Sequence, residues 1–513
     1  MSLARRWLPV ALVAAACSCA PQGCRSNDAP AAIPIAAAAP IPAADPTEVE
    51  VPMVAVAGGA ALRARTRAQR SALGDEAPLF EDEAGRAVPW IATGPIADPL
   101  DDALLDGLPG SSGLGGNQPT DGPSMNGNML GLFEPIEGNG QPLAHFHRAL
   151  QALADGRDAD GKVRVLVFGA SHTEADIYPQ YVRSYLQERF GDGGHGFVMP
   201  AQPWRGYSHI EMGVSGFEHW RTEHAQRRDG RDDGRYGLLG ASISTSNRRA
   251  AGKLVHAPGV VASRYELYYL GQPRGGSLEL VADGRRVAEI DTAAHQVGPA
   301  YHAFELPEAE HTIEVRVRGD GEVRLLGLTV ERDDPGVVVD TLGVRGTRAA
   351  NALEWDFDVW ADNVRRRAPD LVILAFGTNE ATDVEQPMAD YEARLAGVLQ
   401  RYREATAPAS CLLVGPGDFP LAADGGFVPR GRVGEIIDAQ QRVAAAHGCG
   451  FWDLQAFMGG ELSMVQWVRS TPPMAAPDFI HLSRRGYVRM GMALVDALMM
   501  DLDGGDPLHA RTR

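Results

Sequence analysis

The sequence predicts an α/β protein, a parallel sheet with helices on both faces, into which an antiparallel β-sandwich is inserted. Three observations lead there. Residues 163–190 read as a short apolar, β-branched run, a glycine turn and a helix. From 335 to about 500, apolar strand-like runs alternate with helical patterns, which marks a parallel sheet covered on both sides. Between them, from 211 to 334, strand-like runs follow one another with turn signals and no helical pattern.

The chain has 513 residues, enough for two or three domains with cores of their own. Hydrophobic residues are 44% and charged residues 22%, a globular composition. The net charge of −18 argues against a nucleic-acid partner, which calls for a basic face. At the start, Arg5 and Arg6 precede an apolar run at 7–16 that is too short to span a bilayer, the pattern of a signal peptide. Small residues lead into Cys17, similar to a bacterial lipoprotein processing site, although Ala14 stands where such sites usually carry Leu; Cys19 is the second choice, and a plain cleaved signal is the alternative. Residues 1–19 thus predict an exported protein, periplasmic or held at a membrane by a lipid anchor. Residues 20–140, rich in Ala, Pro, Gly and Asp, bury too little apolar surface to offset their ordering entropy and read as a disordered tether, with a short helix over 61–73.

The α/β part divides into 143–210 and 335–502. It opens with a helix over 143–153 and the strand at 163–168. Gly169 ends that strand, Ser171 follows, and Tyr181, Val182, Tyr185, Leu186 and Phe190 form the apolar face of the next helix. A strand–turn–helix of this kind lifts a hydroxyl above the carboxyl end of a strand, where α/β proteins place their chemistry. The glycine run at 191–196 lacks the Lys-Ser/Thr of a phosphate loop and reads as a tight turn. In the insertion, runs such as RYELYYL, SLELVA and HTIEVRV are separated by the Asp283-Gly284 and Asp320-Gly321 pairs. Strands then recur at 337–340, 371–376, 411–415 and 450–454, with helices at 349–367, 391–403 and 433–446, and a last helix that Ser483 caps. Cys411 and Cys449 each lead into a strand; they are either bridged across neighbouring strands or remain two small buried thiols.

Three more motifs fall on loops of this α/β part: DTLGVRGTRAAN with Gly343 and Gly346, FGTNE with Gly377 and Asn379, and PDFIHLSRRGY with Asp478 and His481. Acyl transfer needs a nucleophile, a base and a group that orients the base, for which Ser171, His481 and Asp478 are the candidates. It also needs donors for the developing oxyanion, which the N–H groups of Ser171 and Gly346 and the Asn379 amide can supply. Other residues stay open. His172 either touches substrate or packs; Trp204 and Tyr207 either stack on a sugar or fill the core; Trp467 and Arg469 either line the cleft or lie on a surface loop. No Cys/His spacing suggests zinc.

These blocks resemble the SGNH, or GDSL-like, hydrolases, whose four letters fall on Ser171, Gly346, Asn379 and His481, with Asp478 three residues before the histidine. Gly169-Ala170-Ser171 stands where the family has Gly-Asp-Ser, which removes a carboxylate beside the nucleophile. The blocks SHT at 171–173, GDGGHGFVMP at 191–200, DTLGVRG at 340–346, GTNE at 377–380 and DFIHLSRRGY at 478–487 are most similar to bacterial peptidoglycan O-acetylesterases, which carry a carbohydrate-binding-module-like β-sandwich in the same place. The resemblance implies a flavodoxin-like sheet and a serine esterase without metal or cofactor. Its partner would be an acetylated polysaccharide of the cell envelope. An O-acetyltransferase with the same triad and a non-catalytic glycan-binding lipoprotein are the alternatives. Because the insertion separates Ser171 from Gly346, its two ends must lie close together. It then either grips a polymer or braces the fold. In the first case a Gly/Ser linker in place of 211–334 spares hydrolysis of a small ester.

Overall fold

The computed structural model describes residues 134–138, 141–226, 230–423 and 426–502, together with four short strands between 53 and 88. Its centre is a five-stranded parallel sheet: β1 (Lys162–Gly169), β2 (Gly336–Gly343), β3 (Leu371–Ala375), β4 (Ser410–Val414) and β5 (Gly450–Trp452). The spatial order is β2-β1-β3-β4-β5. This is the flavodoxin-like order, with its switch point between β1 and β3. Side chains alternate across the sheet with the strand period of two. Val163, Val165, Val167, Val337, Val339, Ile373 and Val414 bury on one face. Leu166, Phe168, Val372, Leu374 and Leu413 bury on the other.

Helices α1 (Ala144–Ala154), α2 (Ser171–Glu174), α3 (Ile177–Phe190), α4 (Phe357–Arg367), α5 (Met388–Thr406), α6 (Gly431–Ala446), α7 (Leu454–Met458), α8 (Ser463–Arg469) and α9 (Arg484–Met499) complete the α/β part. Buried side chains of α1, α3 and α9 join the first face, and those of α4, α5 and α6 the second. The single helix expected over 349–367 is two elements. A 3-10 turn covers Ala349–Glu354, and the Asp356 carboxylate then accepts the Val359 N–H and starts α4. The helix after β1 is likewise broken, because Asp176 takes a left-handed φ of 55° between α2 and α3.

Cys411 and Cys449 form a disulfide, with Cα atoms 4.6 Å apart, at the paired β4 and β5. Ser483 accepts the Gly486 N–H and caps α9 as expected. Residues 1–19 lie outside the described residues, as does most of 20–140. Within the latter, Met53–Ala55, Ala61–Ala64, Phe80–Asp82 and Ala87–Val88 pair as a four-stranded antiparallel sheet. The stretch expected as a helix from 61 thus begins as a strand, its backbone groups satisfied by neighbours rather than by its own next turn.

The insertion consists of two antiparallel sheets of five and six strands. It begins earlier than the turn signals suggested. Gly196–Val198 already pairs with Val323–Glu331 on the six-stranded sheet. Both ends of 211–334 meet the same short stretch: Glu211 bonds the His195 ring at 3.0 Å, and the Arg332 N–H donates to the Gly193 carbonyl at 2.9 Å. The sheets do not form a separate core. Leu254, Leu267, Leu280 and Val315 of the insertion belong to the same buried cluster as Phe168, Trp360 and Leu413 of the α/β part.

A buried ion network joins the two parts. Glu331 of the insertion faces Arg164 at 3.3 Å and Arg367 at 2.5 Å, and Arg367 also grips Asp340 at 2.7 Å. Burial pushes the Glu331 carboxyl up, but the two guanidiniums outweigh it and hold it at about 2, against an ordinary 4.5. A carboxylate depressed in the folded state stabilises above its unfolded pKa. That contribution disappears as pH falls from about 4.5 towards 2, and amounts to on the order of 3 kcal/mol. Urea unfolding across that range is expected to show a steep acid limb in the wild type and a shallower one in Glu331→Gln. The variant is also expected to be weaker at neutral pH, since two buried arginines lose a countercharge.

Candidate active site

Parallel pairing sets Gly169 at the end of β1 level with Gly343 at the end of β2 and Ala375 at the end of β3. Three of the four sequence motifs therefore leave the sheet side by side at the switch point. The fourth, residues 478–481, sits just before α9. Ser171 is the first residue of α2. Its Oγ lies 2.9 Å from His481 Nε2, and His481 Nδ1 lies 2.7 Å from Asp478 Oδ2. The other Asp478 oxygen accepts the N–H groups of Ile480 and His481, both at 2.9 Å. Burial raises the Asp478 carboxyl, yet these hydrogen bonds prevail and keep it below the ordinary carboxylate range. It remains ionised beside the imidazole and fixes the tautomer with the proton on Nδ1, which leaves Nε2 as the acceptor for the serine.

The N–H groups of Ser171 and Gly346 meet no protein acceptor among the described residues. That of Ser171 is an orphan donor at a helix start. Asn379 follows the β3 loop, and its amide donates one hydrogen to the Thr347 carbonyl at 2.8 Å, which ties it to the Gly346 loop. Ser171 thus opens α2, the other four expected residues lie on loops, and the Ser-His-Asp chain is continuous.

Several supporting residues were not recognised in the sequence. Glu174, buried at the end of α2, accepts the Arg345 N–H at 2.7 Å, the Arg345 Nε at 2.9 Å and the Trp204 Nε1 at 2.7 Å. It thereby joins the serine helix to the loop that carries Gly346. A Cβ on Gly343 would come within 2.1 Å of the Glu174 nitrogen, so only glycine lets that loop approach. Glu380 of FGTNE accepts the N–H groups of Ala349 at 2.8 Å and Gly377 at 3.1 Å. Asp176 accepts the Ile210 N–H at 2.9 Å and the Thr341 hydroxyl at 2.5 Å, which anchors the turn behind Ser171. The only signals for these roles were the carboxylates inside SHTEAD and GTNE, and neither names its partner.

The residues left open by the sequence have these places in the structure. His172 packs: its ring lies 5.2 Å from that of His481, and Nδ1 bonds the Tyr487 hydroxyl at 2.9 Å. Loss of hydration, with His481 alongside, pushes its pKa down to about 3, so it stays neutral. Tyr207 is a core residue whose hydroxyl accepts the Met199 N–H at 3.0 Å, whereas Trp204 is half-buried against it. Trp467 neither lines a cleft nor sits on a surface loop. It is buried in α8 and donates to the Met458 carbonyl at 3.0 Å, while Arg469 at the end of that helix is exposed.

Residues 314–489 match the GDSL-like lipase/acylhydrolase family. The match places this part of the chain with the GDSL-like hydrolases. The chain is a carboxylic ester hydrolase with the α/β fold of that family. The matched stretch contains Gly346, Asn379, Asp478 and His481 but not Ser171, which the insertion separates from the rest. The hydrolase is similar to a solved peptidoglycan O-acetylesterase, with a TM-score of 0.61 and 24% identity over 74% of this chain and 99% of the other. It is more distantly similar to a salicylyl-acyltransferase of a tetracycline biosynthetic pathway, with a TM-score of 0.25 and 15% identity over 57% of this chain and 97% of the other. An acetylxylan esterase from Geobacillus stearothermophilus gives a TM-score of 0.25 and 19% identity over 32% of the hydrolase and 73% of that protein. No curated protein sequence is significantly similar to the chain.

The Asn379 amide supplies a test of the oxyanion site. Asn379→Ala is expected to lower kcat roughly 10²–10³-fold on p-nitrophenyl acetate with little change in KM, since such a donor acts mainly in the transition state. Steady-state kinetics check this, and an effect confined to KM would make Asn379 a substrate-binding residue instead.

Proposed function

We propose that this hydrolase removes O-acetyl groups from a cell-envelope glycan, peptidoglycan being the substrate favoured. The observation that carries the reading is the continuous Ser171–His481–Asp478 chain, at 2.9 and 2.7 Å. The similarity in fold to a peptidoglycan O-acetylesterase, which spans 99% of that protein, supports the choice of glycan.

In the proposed reaction Ser171 Oγ attacks the acetyl carbonyl carbon while His481 Nε2 takes the hydroxyl proton. The N–H groups of Ser171 and Gly346 and the Asn379 amide stabilise the oxyanion. His481 returns the proton to the departing sugar oxygen, which leaves an acetyl-serine. Water attacks that ester, His481 again takes and returns a proton, and acetate departs. Asp478 stays ionised throughout and stabilises the imidazolium that forms twice.

The protein is proposed to be exported and anchored through Cys17 or Cys19, a reading that rests on the residue pattern at 1–19. The test of the activity is acetate release from purified O-acetylated peptidoglycan, compared with acetylated xylan and p-nitrophenyl acetate. Release from peptidoglycan well above that from xylan is expected. Equal or preferred action on xylan would overturn the assignment of substrate.

A further inference from the structure

Two arginines stand beside the oxyanion loop. Arg345 precedes Gly346 and is itself exposed. Its inner edge is fixed: Nε lies 2.9 Å and Nη2 2.5 Å from the same oxygen of Glu174. The Glu174 side chain is 5% exposed and that of Arg345 49% exposed. The negative end of this pair is therefore sunk in the protein and the positive end turned to solvent. The Trp204 indole holds Glu174 from the other side, so the guanidinium is pre-oriented and loses little freedom on binding. Arg205, the next residue along from Trp204, lies close by. A Cβ on the following Gly206 would come within 3.2 Å of Arg345 Nη2. Arg205 is exposed, and its guanidinium lies 5.8 Å from the centre of the Phe217 ring. It has no carboxylate partner among the described residues. Phe217, in the insertion, is 38% exposed.

A protein with a net charge of −18 thus presents outward cations next to its acyl-transfer site, flanked by an exposed aromatic ring. We propose that Arg345 and Arg205 form an anion subsite that takes a carboxylate of the acetylated substrate, with the neighbouring sugar against Phe217. The substrate class is then an O-acetylated glycan whose repeating unit carries a carboxylate. The proposal rests on the glycan reading above and narrows it, since a neutral acetylated glycan offers these guanidiniums no countercharge. Arginine suits the task because its planar fork meets a carboxylate through two parallel hydrogen bonds.

The test compares two forms of one substrate: acetylated peptidoglycan fragments with free carboxylates, and the same fragments with those carboxylates converted to amides by carbodiimide and ammonia. Amidation is expected to lower wild-type kcat/KM roughly tenfold, the effect of one exposed charge-assisted contact. In Arg205→Gln the ratio between the two forms is expected to shrink to about threefold or less. Arg205→Glu is expected to prefer the amidated form. A wild type indifferent to amidation, or an Arg205→Gln variant that keeps the full ratio, overturns the subsite while leaving the esterase reading intact. If the wild type releases acetate from neither form, the glycan reading falls by itself. The subsite is then decided on two small esters, 4-acetoxyphenylacetate and its amide, with the same expected ratios.

Discussion

Ser171→Ala and His481→Ala are each expected to abolish ester hydrolysis while the protein stays folded. Ser171 Oγ and His481 Nε2 are 2.9 Å apart, and no other hydroxyl among the described residues bonds that nitrogen. Ser171 is half-buried, and alanine removes only its hydroxyl oxygen. The expected loss is several orders of magnitude in kcat, because a triad works as a unit and removing one member costs almost as much as removing all. The double variant is accordingly expected to be no worse than either single one. The measurement is kcat on p-nitrophenyl acetate, with circular dichroism and the melting temperature as checks of fold. Near-normal turnover by a pure, folded Ser171→Ala protein would eliminate the mechanism.

Excising 211–334 and closing the gap with a Gly/Ser linker is expected to yield no folded hydrolase, and so no activity on either small or polymeric esters. This reverses the expectation that a small ester would be spared. Excision removes Glu331, which leaves Arg164 and Arg367 buried without that countercharge. Breaking a buried ion pair from one side costs about 3–5 kcal/mol, already a large share of a domain's stability. It also strips Val198 and Phe197 of the strand they pair with and opens the buried cluster that Phe168 and Trp360 share with the insertion. The Lys162 ammonium, which donates to the Asp334 carbonyl at the base of β1, loses that acceptor as well. The yield of soluble protein and its unfolding curve test this. A cooperatively folding deletion that still cleaves p-nitrophenyl acetate would restore the picture of a detachable module.

The sequence by itself determined most of the strands and helices of the α/β part, and where the reacting groups fall along the chain. Alternating valines at 163, 165 and 167, the apolar face of α3 and the Ser483 cap are short-range signals, and each acts within one or two turns of its own position. Ser171, Gly346, Asn379, Asp478 and His481 were legible because the chemistry demands those residue types at loop positions. What only the tertiary structure decided is everything that joins residues far apart. Glu174 meets Arg345 across 171 positions, and Glu331 meets Arg164 across 167. Local patterning says that a carboxylate is present, not which cation the strand order brings to it. The same holds for Cys411 and Cys449, whose pairing needed β4 and β5 to be neighbours, and for Trp467, whose place in the core depends on the elements packed around α8. The extent of the insertion was misjudged for this reason too. Gly196–Val198 is a three-residue strand with no pattern of its own, and it exists because Val323–Glu331 offers it a backbone to pair with. Local propensity is a property of a few adjacent residues. Pairing and burial depend on which elements the whole chain sets side by side.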